Sequence, residues 1–329
     1  MKRSVFLCVR VVAASLIFSA ALSAQTTYHA FLWSSTTGMQ DLGSLGAGSS
    51  YAQGINAGGQ VVGYYVSFDG DLRPFLWTQS GGMQDIGTLG GTSGGAAAIN
   101  DSGQVAGWST TSTGQAHAFL WNAKTGMTDL GTLGGDSSGA TGINKSGQVT
   151  GTSTKPGNTI DHAFLWSAQT GMADLGAFAG DNSDAFGIND SGLVVGESIP
   201  TSNATPYHAF LRTRRNILDL GTLEGGNSNA VAINDSGSVV GNSDFFAFLW
   251  THAGGMQNLG PSGTAFSAAD GINSLGVIVG SYQLTIPIIH AVIWTAPNQI
   301  QDLGVLGGTY STATGINDSG QVVGYSTLP

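Results

Sequence analysis

The sequence predicts an all-β protein, a seven-bladed β-propeller of four-stranded blades whose ring is closed by a composite blade. Three observations carry this. One unit recurs seven times at a period of about 44 residues, each unit holds four short apolar pieces bounded by turn residues, and the two ends of the repeat region are complementary halves of that unit.

Composition removes the competing classes. Of 329 residues 52 are Gly and only 9% are charged, while 41% are hydrophobic. That apolar share is too high for disorder, and Gly lacks the three-residue period of collagen. Coiled coils and helical arrays need a charged face on every helix, which this chain does not supply.

Residues 1–24 read as a secretory signal peptide. Lys2 and Arg3 precede an apolar stretch through Val11, Val12, Leu16, Ile17 and Phe18, and Ala20, Ala21, Ser23 and Ala24 form a small-residue end. Residues 25–329 are then one propeller domain, exported to the periplasm or the extracellular space. The single Cys, Cys8, lies in the export segment, so the mature chain is expected to have no disulfide and no thiolate chemistry. Without that segment 7 basic residues face 20 acidic ones, a net charge of −13. Such a surface repels phosphate backbones and anionic lipid, so neither nucleic acid nor a membrane is an expected partner. The mature chain is expected to have no membrane span and to be a monomer.

The four pieces, A to D, are clear in one copy as Ala96–Asn100, Val105–Ser109, His117–Trp121 and Met127–Gly131. Each is too short for a helix and is flanked by turn chemistry. Asn100-Asp101-Ser102-Gly103 joins A to B and recurs at Asn189, Asn234 and Asn317, which makes A and B a hairpin. From the Asn closing A to the Gly within B the step is 7 in all seven copies, and from the D-strand acid position to the next Asn it is always 15. Only the B to C connection varies, from 9 residues (Gly241 to Trp250) to 16 (Gly196 to Arg212). The repeat region opens with C and D (His29–Trp33, Met39–Gly43) and ends with A and B (Ala313–Asn317, Gln321–Tyr325). A ring joins those halves in one blade and leaves no unpaired terminal sheet.

Residue types agree with these places. The position before the strand A Ile is always small (Gly54, Ala98, Gly142, Gly187, Ala232, Gly271, Gly315), as inner strands crowding an axis require. Strand C is apolar on both faces, so it is expected to be buried between blades, and Trp166→Ala to open a costly cavity.

The motif H-A-F-L-W, then G-M-x-D-L-G-x-L-G-G, then G-I-N-x-S-G-x-V-V-G, resembles the HAF-repeat family of probable extracellular bacterial proteins over His29 to Tyr325. The resemblance implies export and tandem repeats, with no established activity. Arg73-Pro74 and Phe246-Ala247 replace the His-Ala pair, Arg212 replaces Trp, and Asn258 replaces Asp.

Repeated polar residues read as structural, because a catalytic group has no cause to recur in each blade. His29, His117, His162, His208 and His290 open strand C and are expected to hydrogen-bond a neighbouring blade. The D-strand acids (Asp41, Asp85, Asp129, Asp174, Asp219, Asp302) are expected to accept turn or inter-blade hydrogen bonds. Gly91-Thr92-Ser93-Gly94-Gly95 matches a nucleophile elbow in letters only, since strand and not helix follows. Asp69-Gly70-Asp71 lacks the remaining ligands of a calcium loop. No catalytic, metal or cofactor site is expected.

Function is therefore sought among unrepeated residues. In this strand order the B to C and D to A connections share one face, around a mouth of the central channel, and that face is the expected binding surface. Its candidates are Tyr64, Tyr65, Trp108, Tyr207, Phe245 and Tyr282 from B to C, with Asp136, Asp181, Asp184 and Glu224 from D to A. Rings with acids suit a protein or glycan partner, since rings stack on apolar faces and carboxylates accept hydroxyl hydrogen bonds. The leading expectation is a non-catalytic binding propeller; the alternatives are a carboxylate-dependent, glycosidase-like hydrolase and a purely structural component.

Overall fold

A computed structural model describes residues 26–46, 48–177, 182–199, 206–214, 216–260 and 266–329. The expected export segment lies outside the described residues. Among those described, every regular element is a β-strand.

The chain opens with β1 (Tyr28–Ser34) and β2 (Gly38–Asp41). The first complete blade is β3 (Ser50–Ile55), β4 (Val61–Val66), β5 (Leu72–Thr78) and β6 (Gly82–Asp85). The second is β7 (Gly90–Ile99), β8 (Val105–Thr111), β9 (Ala116–Asn122) and β10 (Gly126–Asp129), and the third β11 (Ser138–Ile143), β12 (Val149–Thr154), β13 (Asp161–Ser167) and β14 (Gly171–Asp174). The fourth is β15 (Asn182–Ile188), β16 (Val194–Ile199), β17 (His208–Arg212) and β18 (Ile217–Asp219), and the fifth β19 (Ser228–Ile233), β20 (Val239–Ser243), β21 (Phe246–Thr251) and β22 (Gly255–Asn258). The sixth is β23 (Ser267–Ile272), β24 (Ile278–Thr285), β25 (Ile288–Ala296) and β26 (Gln299–Asp302), after which come β27 (Ser311–Ile316) and β28 (Val322–Thr327). The seventh blade has the order β2-β1-β28-β27, with Tyr28 opposite Thr327 and Trp33 opposite Val322. The molecule is a seven-bladed β-propeller closed two strands plus two.

The constant spacing of seven has a steric cause. The inner strand of every blade carries a β-bulge, between Ala52 and Gly54 in the first blade. The bulge pushes the Tyr51 carbonyl to where a Cβ on Gly63 would stand, and the other six B-strand glycines face the same overlap. The small residue before each Ile answers to the next blade: a Cβ on Gly187 would lie 2.9 Å from the Val231 carbonyl oxygen. Crowding at the axis is as expected.

The asparagines closing strand A do more than bend the chain. Asn56 Nδ2 donates to the carbonyl of Asn100, Asn100 to Asn144, Asn144 to Asn189, Asn189 to Asn234, Asn234 to Asn273, Asn273 to Asn317, and Asn317 back to Asn56, at 3.0–3.2 Å. Each Oδ1 accepts the backbone N–H four residues on, such as Gln60 from Asn56 and Gln321 from Asn317. All seven are buried. One side chain thus closes its own hairpin and fastens it to the next blade. Asp101, Asp190, Asp235 and Asp318 add to this, each accepting a backbone N–H from the preceding blade.

Strand C packs between blades as its two apolar faces predict. Phe119 and Val105 of the second blade share one cluster with Val62, Leu76 and Ile86 of the first. Phe31, Phe75, Phe119, Phe164 and Phe248 are fully buried, whereas Trp166 is only partly so. The largest fully buried side chain of the third blade is therefore Phe164, and the cavity expected of Trp166→Ala moves there.

Phe164→Ala is expected to lower unfolding free energy in denaturant titration by about 3 to 5 kcal/mol, and Trp166→Ala by less. Asn317→Asp keeps the acceptor for the Ser319 and Gln321 N–H groups but removes the donor to the Asn56 carbonyl and to Gln321 Oε1. It is expected to cost about 1 to 3 kcal/mol. An unchanged denaturation midpoint would show that neither bond donated by this amide, the inter-blade one included, contributes to stability.

Candidate functional site

The inner strands enclose a channel with a cavity of about 660 Å³. Seven isoleucines, one per blade from Ile55 to Ile316, line its lower part. Above them stand the bulge residues Gln53, Ala97, Thr141, Phe186, Val231, Asp270 and Thr314, six residue types at seven places. Higher still, the position before the invariant inner Ala varies (Tyr51, Gly95, Gly139, Asp184, Asn229, Ala268, Thr312), as does its partner on the second strand (Tyr64, Trp108, Thr152, Glu197, Asn242, Ser281, Tyr325). Repetition stops where the chain faces the mouth.

One side of that mouth is aromatic. Tyr51 stacks on Tyr64 with ring centroids 5.0 Å apart and meets Tyr325 edge-on at 5.0 Å; Tyr28 and Tyr310 extend the cluster at 5.7 to 6.3 Å. Such offset and edge-on pairs match the ring quadrupoles. The row continues to Trp108 because Gly95 has no side chain: a Cβ there would lie 3.0 Å from the indole Nε1 and 3.6 Å from the Tyr64 ring. Burial pushes the Tyr51 and Tyr64 hydroxyls upward, and Tyr310 up to about 12. The rings are neutral, apolar platforms with polar tips.

The polar side of the inner strands is largely engaged. Thr152 donates to Asp184 at 2.7 Å, and Asn242 accepts the Ala269 N–H at 3.0 Å, each joining one blade to the next. Asp270 is different. Its Oδ1 is closed off from solvent and makes no hydrogen bond to a described residue. Burial raises its carboxyl to about 7 against a hydrogen bond from Thr312 that lowers it.

The sequence candidates do not form one surface. Tyr64 and Trp108 line the channel, but they sit on strands β4 and β8 and not in the B to C connections. Tyr65 points the other way: it is buried, and its hydroxyl donates to Asp85 at 2.7 Å, a structural role. Its alternation with Tyr64 on one strand makes that unavoidable. Tyr282, on β24, packs against an inter-blade cluster, and Asp184 lies within β15. Asp136 binds Asn158 within its loop pair at 2.6 Å, and the Tyr207 N–H donates to Asn227 Oδ1. Phe245 and Glu224 are exposed on the rim, and Asp181 lies outside the described residues. Tyr28, Tyr325 and Asp270 were not singled out by sequence. Asp270 was detectable as the only acid between the constant Ala and the small residue of strand A.

The histidines bind within their own blade, which corrects the expectation of an inter-blade bond. His29 Nδ1 meets Asp41 at 2.9 Å, and His117–Asp129, His162–Asp174, His208–Asp219 and His290–Asp302 repeat it. The D-strand carboxylate also accepts a turn N–H, as Asp41 does from Gly43. Departures are paired. Arg73 takes the histidine's place on Asp85 at 2.8 Å. Burial of Asp85 opposes ionisation, but Arg73, the Tyr65 hydroxyl and the Gly87 N–H together hold its carboxyl below the usual range. Where Phe246 replaces His, Asn258 replaces Asp. In six blades a Ser hydroxyl accepts the N–H of the Ala after the His position; Pro74 has no N–H, and there the Ser is Gly94.

No protein-family model matches this chain, and no curated protein does. Solved structures match in fold. A TolB-like protein of Agrobacterium tumefaciens superposes with a TM-score of 0.53 at 10% identity, over 93% of this chain and 100% of that one. The acylaminoacyl peptidase of Pyrococcus horikoshii does so with a TM-score of 0.50 at 11% identity, over 80% of this chain and 48% of that one. At such identity the likeness is one of fold, and propellers host unrelated functions.

Because Asp270 is neutral more readily when folded than when unfolded (ordinary value 3.8), its burial costs stability as pH rises from about 4 through about 7. Asp270→Asn is expected to stabilise the protein at pH 8 by up to about 4 kcal/mol, the difference vanishing at pH 4. Equal melting temperatures of parent and variant at pH 8 would contradict this.

Proposed function

We propose that this chain is an exported, non-catalytic binding propeller, related to the HAF-repeat proteins, which takes a ligand of mono- to disaccharide size or a glycan end into the aromatic mouth of its channel. The observation that carries the reading is where the repeat varies. Ala, small residue, Ile and Asn are held in every inner strand, while the positions facing the mouth vary among blades and gather Tyr51, Tyr64, Trp108 and Tyr325 on one side. Rings of this kind stack on the apolar faces of sugars, and the volume suits a small ligand. Export rests on the character of residues 1–24.

A second reading, docking of a protein on the rim, draws on one observation. Phe68, Phe245 and Ile286 are 79%, 69% and 87% exposed, and all three sit at B to C connections on the same face.

Glycan-array binding by the mature protein is expected to fall at least tenfold in Tyr64→Ala and in Trp108→Ala, with Phe245→Ala near the parent. Loss confined to Phe245→Ala would favour the rim, and binding unchanged in both ring variants would reject the channel mouth.

A further inference from the structure

The Asp270 carboxylate is placed at mid-depth in the channel by the bulge of β23, between Ala269 and Gly271. One of its oxygens has no hydrogen-bond partner among the described residues and is closed off by the surrounding protein. Among the described residues no Lys, Arg or His lines the channel. A buried carboxylate is stable as an ion only beside a compensating charge, and here the wall does not supply one. Around it the wall mixes apolar and neutral polar groups, with Phe186, Val231 and Thr314 at the same level and Tyr325 above.

We propose that the channel binds a small organic cation, with a quaternary or alkyl ammonium group in the channel beside the Asp270 carboxylate, not touching its enclosed Oδ1, and an apolar body lying along the aromatic mouth. This rests on the mouth being a ligand site and goes beyond the glycan reading in the chemistry of the ligand. The charge is neutralised by the carboxylate and the methyl or methylene groups contact ring faces, the arrangement by which aromatic cages hold ammonium ions. A neutral ligand of the same shape leaves Asp270 uncompensated.

The groups around Asp270 leave its ionisation as the one that matters near neutral pH. Thr312 of β27 donates a hydrogen bond to it. Tyr310, just before β27, and Tyr325 of β28 are coupled to it, and burial pushes both hydroxyls far above neutrality. On the other side β19 carries no titratable residue, and Tyr282 of β24 packs into an inter-blade cluster. A bound cation favours the ionised carboxylate, so binding strengthens as pH rises through 7.

The test is calorimetric titration of the mature protein with choline, whose charge does not change with pH, and with its neutral isostere 3,3-dimethylbutan-1-ol. At pH 8 choline is expected to bind at least tenfold more tightly, and its affinity to fall about tenfold per pH unit below 7. Asp270→Asn, expected to fold at least as stably, abolishes both the preference and the pH dependence. Absence of choline binding, equal binding of the two probes, or a preference retained in Asp270→Asn overturns the inference. If the neutral probe binds as well as choline and needs Tyr64 and Trp108, the mouth is a ligand site and only the cation is wrong. Array binding that survives both ring replacements refutes the site itself.

Discussion

Seven buried asparagine amides hold the inner strands in a circle, each donating to the backbone of the next blade until Asn317 reaches Asn56 across the join between the two chain ends. A buried amide left without a partner is costly, so each blade needs its neighbour in register. The same oxygen that accepts from the hairpin fixes the amide that crosses between blades. Local turn and global ring are thereby one interaction, and the ring cannot form from hairpins of another length.

That constraint explains which positions are free. Ala, Gly or Ala, Ile and Asn along each inner strand answer to the adjacent backbone, and the B-strand Gly answers to the bulge. What remains is the side facing the mouth, where the residue varies among blades and only some, such as Thr152 and Asn242, bond across to the next. The aromatic row from Tyr28 to Trp108 and the isolated acid Asp270 occupy such positions. Outside the channel, paired departures such as Phe246 with Asn258 and Pro74 with Gly94 show how closely the remaining polar groups are matched to their partners.

Blade number, strand order and closure were legible in the sequence because period and end halves are properties of the chain alone. The inter-blade duty of the asparagines was not, since an Asn-Asp-Ser-Gly turn needs no other purpose to account for its letters. The histidine partners were misplaced for a related reason: a step of 12 from His29 to Asp41 gives no clue that two antiparallel strands bring them together at their open ends. For the site, variation was sought in loop length, whereas the bulge turns strand residues into the channel. Two neighbouring tyrosines, Tyr64 and Tyr65, then go to opposite faces with opposite roles.

The ring of amides is open to direct observation by nuclear magnetic resonance. Scalar couplings across hydrogen bonds, measured from each asparagine side-chain nitrogen to the backbone carbonyl of the asparagine one blade on, are predicted for all seven, with slow hydrogen exchange of the same amides. Side-chain amides of Asn56 and Asn317 that exchange as fast as those of surface asparagines, and show no coupling between them, would contradict a circle closed in this way.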